Sequence, residues 1–269
     1  MFNMVDFPGN THQALLALIA AMIGSIGWGV FCWFWGIPAS KSHSLIAGVT
    51  GGAIALNGLA GVVASEWMLV IYGMVFSLVA GFILGILITR LMERLFSWAD
   101  RRIGNIVCMV LQDICACALS FLHGAQDGQK FMSIGLLGIA LAFGMETSGE
   151  TNFPLWLMIL CSAAISLGTL AGGKRIIKSV GMDMVKLEPF QGFAASLSTF
   201  VSLMVATFGG LPVSTTHTSA TAIMGVGAAK NPKGVKWSIA IDMVKTWVLT
   251  FPGCGILGYV CAKLFLCIL

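Results

Sequence analysis

This chain has very little charge. Lysine and arginine contribute 15 residues of 269 and aspartate and glutamate 11, so charged residues make up 10% and the net charge is only +4. A soluble domain carries roughly 25% charged residues, so a water-exposed globular surface is excluded. The few basic residues cluster at the ends of apolar segments, which is a membrane-topology pattern and not a nucleic-acid footprint. The eight cysteines all lie in or beside apolar stretches and no Cys-x-x-Cys occurs. They therefore read as small buried apolar side chains, not disulfides or metal ligands. No nucleophile–base constellation, metal box or nucleotide loop is present, which argues against an enzyme. The first ten residues lack a basic region and a cleavage site, so no signal peptide is expected. What is abundant is apolar sequence: 58% hydrophobic residues and a mean hydropathy of +0.93. These values, spread over several long runs, predict an all-α polytopic membrane protein.

Along the chain, 13–35, 67–89, 153–172, 190–209 and 237–267 read as spans, the last with a kink expected at Pro252 and Gly253. Residues 91–100, where charged and apolar residues alternate, suit a short interfacial helix. The segment 103–144 is apolar but holds a polar cluster at 123–130 bracketed by Gly124 and Gly128, where a helix break is expected. A polar loop is expected at 145–152, and 173–189 reads as an exposed loop or interfacial helix. The arginines near 90–102 and the lysines and arginines near 174–186 both carry the signature of a cytoplasmic face. That shared face requires 103–144 to cross only once, whereas an inverted repeat with 190–209 as a span needs two crossings there.

Two polar stretches interrupt the apolar pattern. Residues 37–44 read Ile-Pro-Ala-Ser-Lys-Ser-His-Ser and residues 211–218 read Leu-Pro-Val-Ser-Thr-Thr-His-Thr. Pro38 and Pro212, Ser40 and Ser214, Ser42 and Thr216, His43 and His217 coincide at a constant offset of 174. Polar residues at membrane depth mark a site or pathway, and paired, proline-broken segments in corresponding places point to the binding site of an inverted-repeat transporter. Two re-entrant helical hairpins are therefore expected, at 37–60 and 211–229. Half-helix N-termini with Ser and Thr hydroxyls suit a tetrahedral oxyanion, held by hydrogen bonds without a trapping counter-charge. The candidate substrate ligands are Ser40, Lys41, Ser42, Ser214, Thr215 and Thr216. Lys41 stands where the other copy has Thr215, and either binds the anion or snorkels to water. His43 and His217 either carry protons or brace the hairpins.

Asp127 is the second feature. Either it coordinates Na⁺ or carries a coupling proton, with Gln126 and Gln129 completing the shell, or it forms a neutral pair with Lys130 one turn away. Asp113 and Asp242 are the other carboxylates in apolar segments, with Asp242 read as pairing structurally with Lys245. His12 reads as a surface residue.

These motifs resemble the inorganic phosphate transporter (PiT) family. The resemblance rests on Phe121-Leu-His-Gly-Ala-Gln-Asp-Gly-Gln-Lys130, Gly173-Lys-Arg-Ile-Ile-Lys-Ser-Val-Gly181, Leu187-Glu-Pro-Phe-Gln-Gly-Phe193, Leu211-Pro-Val-Ser-Thr-Thr-His217 and Gly36-Ile-Pro-Ala-Ser-Lys-Ser-His43. It implies cation-coupled phosphate symport driven by Na⁺ or H⁺ in the plasma membrane, with Gln191 joining the cation set. It implies no cofactor beyond the coupling ion. Sulfate is the alternative substrate, and homodimerisation is an expected mode of assembly. The chain departs from the family at Gln126, where asparagine is typical, at Lys41, where a hydroxyl is typical, and at Ser196, where a carboxylate is frequent. The family also carries the His-Gly-x-Asn-Asp motif twice. The offset of 174 would put the first copy ahead of Met1, so 1–102 is expected to be the remainder of a first repeat and 103–269 the second. A separate N-terminal chain, or a non-transporting role for this one, follows as an alternative.

Overall fold

The computed structural model describes residues 4–5, 11–98, 100–144 and 153–268. Nine α-helices account for nearly all of them: α1 (Thr11–Trp35), α2 (Lys41–Asn57), α3 (Ala64–Leu95), α4 (Arg101–Phe143), α5 (Leu155–Ala171), α6 (Lys174–Lys178), α7 (Pro189–Phe208), α8 (Thr215–Lys230) and α9 (Trp237–Ile268). Six of the described segments are long and apolar enough to cross a bilayer, or seven if α5 and the α6 region form one bent span. Within the described residues there is no β-sheet, only one isolated bridge between Val5 and Val62. The chain is a polytopic helical membrane protein, as its composition predicts.

The 174-residue offset extends to whole helices. Shifted by it, α1, α2 and α3 fall on α7, α8 and α9, with α3 and α9 agreeing to within a residue at both ends. The two sets interlock: α2 packs chiefly on α9, and α8 chiefly on α3. Corresponding contacts recur. A side chain added at Gly225 would strike the Phe82 carbonyl on α3, and one added at Gly51 would strike the Gly255 carbonyl on α9. Without a hydrophobic drive between helices in lipid, close backbone approach through small residues supplies the packing. On α3 the buried stripe Gly73, Ser77, Gly81, Gly85 and Thr89 repeats every fourth residue. Ser77 and Thr89 return their hydroxyls to the carbonyls of Gly73 and Gly85, leaving no polar atom facing lipid.

Three expectations need correction. The stretches at 37–60 and 211–229 are not pairs of half-helices. In each, a short extended segment carrying the proline leads into one helix, α2 or α8, and a separate helix, α1 or α7, precedes it. The bent helix pair that is present lies elsewhere, between Leu155–Ala171 and Lys174–Met184, at 61°. Second, α4 is unbroken across Gly124 and Gly128 for 43 residues. Two helical glycines cost about 1 kcal/mol each, less than leaving main-chain groups unbonded in a bilayer. Third, 91–100 is no separate helix, because α3 continues to Leu95. Of the two forms expected for 173–189, exposed loop or interfacial helix, the first part is helical, with α6 followed by a π turn at Ser179–Met184. The loop expected at 145–152 lies outside the described residues.

Candidate functional site

The two polar stretches converge. Ser40 caps α2 by accepting from the His43 amide at 3.2 Å, and Ser214 caps α8 by accepting from the His217 amide at 3.3 Å. Ser44 and Thr218 then donate to the carbonyls of Ser40 and Ser214, at 2.9 and 3.0 Å. The repeat is thus reproduced bond for bond. The hydroxyls of Ser40 and Ser214 act as N-caps, which fix where each helix begins and aim its unpaired N–H groups and positive dipole end.

The imidazoles of His43 and His217 meet edge to face, 4.7 Å between centroids, and are sandwiched between Phe251 and Trp247. Both are almost wholly buried, and their ring nitrogens have no hydrogen-bond partner among the described residues. The two imidazoles thus meet through aromatic packing and not through a hydrogen bond. Trp247 also donates its indole N–H to the Pro38 carbonyl at 2.9 Å. On the other repeat the equivalent place is Gly73, over which the Pro212 carbonyl lies closely.

A cavity of about 280 Å³ opens beside these helix starts, with Ser42, His43, Gln129, Lys130, Pro212 and Val213 among its lining. Its polar wall is built around Lys130 of α4. The ammonium donates to Ser42 Oγ at 2.7 Å, to Asp127 Oδ1 at 2.9 Å and to the Val213 carbonyl at 3.0 Å. Ser42 in turn donates to Asp127 Oδ1 at 3.2 Å. His123 Nε2 faces the other carboxylate oxygen, Oδ2, at 3.0 Å. One cluster therefore ties together α4, the start of α2 and the segment before α8. Glu66 is a second carboxylate on the cavity wall.

The remaining candidates divide. Gln126 donates to Thr207 Oγ1 at 2.6 Å, while its Oε1 is buried without a partner among the described residues. Thr215 is buried and Thr216 half-buried on the first turn of α8. Lys41 is exposed and lies in a separate hollow beside Gly29. Gln191 is not brought to Asp127: its Oε1 accepts from the Glu188 amide at 2.9 Å in a capping box at the start of α7. It lies sixteen residues before Thr207, about 24 Å along the helix axis. Asp113 is exposed, Asp242 pairs with Lys245 at 3.1 Å on an exposed face, and His12 is exposed. No group of three or more His, Cys, Asp or Glu residues suited to a metal occurs among the described residues.

Sequence reasoning missed the part played by Lys130, which it weighed only as a local partner of Asp127. The spacing of three residues showed the pair, but nothing local showed that Ser42 and Val213 would join it. Trp247, deep in an apolar helix, carried no signal at all.

The fold and this wall define a multi-pass membrane carrier with a polar cavity where two repeated helix starts meet. The family model for the phosphate transporter family matches residues 2–258, and the chain belongs to that family. It is accordingly a transport protein of the plasma membrane and not an enzyme. A relative from Rhizobium meliloti, described as a probable low-affinity inorganic phosphate transporter, is 37% identical over 91% of this chain and 72% of its own length. One from Bacillus subtilis with the same description is 34% identical over 95% of this chain and 76% of its own. A solved structure described as the sodium-dependent phosphate transporter superposes with a TM-score of 0.86 at 20% identity, covering 99% of this chain and 83% of that one.

Proposed function

We propose that this chain carries inorganic phosphate across the membrane together with a cation, Na⁺ or H⁺, and that phosphate binds in the cavity at the starts of α2 and α8. One observation carries the reading. The first turn of α2 (Ser42 and His43), the segment that leads into α8 (Pro212 and Val213) and Lys130, which is paired with Asp127, share one wall. The wall offers an anion helix-end N–H groups and a hydroxyl, and the ammonium beside them is balanced by Asp127, so the anion is attracted without being trapped. Ser42, Thr215 and Thr216 are the proposed direct ligands. Ser40 and Ser214 act by holding the helix starts. Asp127, with Gln126 and Gln129 beside it, is the carboxylate that holds positive charge.

The movement we propose is a rocking of α1–α3 against α7–α9 as inverted repeats. If α1–α2 and α7–α8 are the two re-entrant pairs, then α3, α4 and α5 are the crossings between them. Three is an odd number, which inversion requires. It also leaves the Arg90 and Lys174 ends on one face. The test is uptake of radiolabelled phosphate by proteoliposomes under Na⁺ or pH gradients, with sulfate as competitor. Uptake unchanged in Ser42→Ala and Asp127→Ala would overturn the residue assignments.

A specific observation favours a second component. The α1 residues Ile26, Gly29, Val30 and Trp33 border an open hollow of about 400 Å³. Shifted by 174 they are Phe200, Leu203, Met204 and Thr207, which α4 covers with Leu119, Leu122 and Gln126. We propose that a helix of a separate N-terminal chain covers α1 as α4 covers α7. Phosphate transport by the purified chain alone would refute this requirement.

A further inference from the structure

The Lys130 ammonium has three N–H bonds, and each meets an oxygen of a different kind. Asp127 supplies a carboxylate, Ser42 a hydroxyl and Val213 a main-chain carbonyl, all between 2.7 and 3.0 Å. They come from three parts of the fold: α4, the first turn of α2 and the extended segment that enters α8. Carboxylate, hydroxyl and unwound main-chain carbonyl are the oxygen ligands that hold a hard cation, and transporters place such carbonyls at broken helices for this purpose. Here the shell is filled by a side chain. The opposite carboxylate oxygen is taken by His123 at 3.0 Å. Asp127 therefore has no oxygen left without a donor, and its charge is already balanced.

We infer that the Lys130 ammonium is the resident cation of the Asp127 site, standing where a coupling sodium ion would bind, so that transport by this chain does not require sodium. This rests on the transport reading above and names the cation that Asp127 holds. A sodium ion and Lys130 cannot occupy one shell together, since the same three oxygens serve both. The Lys130 side chain is 14% exposed and that of Asp127 10%, and separating two such charges leaves each uncompensated. The tether also has a mechanical consequence. A free ion leaves with the substrate, whereas an ammonium on α4 stays and keeps Ser42 and Val213, one from each repeat, in register.

Shortening Lys130 should open the shell to the ion it displaces. The experiment measures binding of radioactive ²²Na⁺ to the purified chain, with phosphate uptake in Na⁺ or choline medium measured in parallel, any component the chain requires for transport being supplied. The wild type is expected to show no saturable Na⁺ binding and equal uptake in both media. Lys130→Ala is expected to gain saturable Na⁺ binding, at least roughly tenfold tighter than any residual wild-type binding, that Asp127→Asn in the same background removes and Glu66→Gln does not. Lys130→Met, which keeps the apolar stem, replaces the alanine variant if that one does not fold. Saturable Na⁺ binding by the wild type overturns the inference, as does its absence in a folded Lys130 variant. Loss of phosphate transport with the Na⁺ results intact would sink the transport reading and leave this one standing.

Discussion

Gly73 provides a quantitative test of how the two repeats are fitted together. It lies on the buried stripe of α3 directly beneath the Pro212 carbonyl, and a Cβ built there would overlap that oxygen. Replacing a helical glycine with alanine normally stabilises by about 1 kcal/mol, because the chain loses less freedom on folding. Here the added methyl meets main chain, which cannot rotate aside as a flexible side chain would. Overpacking of this kind costs about 1–3 kcal/mol, so the net effect of Gly73→Ala is expected to be a loss of roughly 0–2 kcal/mol. The next carbonyl along, that of Val213, is an acceptor of the Lys130 ammonium, so uptake is expected to fall as well. Gly168 on α5 is the control, since a Cβ there meets nothing within 4 Å. Thermal unfolding in detergent, followed by phosphate uptake, measures both. Gly73→Ala melting as high as Gly168→Ala, with full uptake, would refute the close approach of α3 to the segment entering α8.

Further outcomes follow from the same contacts. Trp247→Phe keeps a ring against His217 but removes the bond to the Pro38 carbonyl, and is expected to cost about 1–3 kcal/mol in thermal unfolding because that acceptor is buried. Ser214→Ala removes the α8 cap and is expected to cost about 1 kcal/mol while leaving some uptake, which distinguishes a capping role from direct ligation. Asp127→Asn leaves the Lys130 ammonium without its counter-charge, with an expected loss of about 3–5 kcal/mol and of uptake. Lys245→Ala, at an exposed pair, is expected to change stability by less than about 0.5 kcal/mol.

Much of this architecture was legible in the residues. The helices were written in long apolar runs, and the repeat in two proline-led polar stretches. Asp127 stood out as a carboxylate in apolar sequence. What failed was local inference about breaks. Gly124 and Gly128 look like a helix interruption, yet α4 runs through them because a bilayer offers the freed main chain no water. The stretches at 37–60 and 211–229 suggest pairs of half-helices, but each holds a single helix, because Ser40 and Ser214 are caps that begin it. The resemblance groups Gln191 with Asp127, but a capping box holds it at the start of α7, about 24 Å along the helix axis from Thr207. The union of Lys130 with Ser42 and Val213 spans more than 80 residues in each case, and no local pattern encodes such a meeting.

The most direct test of the central claim is uptake of radiolabelled phosphate by proteoliposomes holding the wild-type chain or its Ser42→Ala variant, with a candidate N-terminal partner supplied where the chain requires one. Accumulation by the wild type, sharply reduced in the variant although it folds and inserts equally well, is the predicted result. Equal uptake by the two would contradict a phosphate site at the starts of α2 and α8.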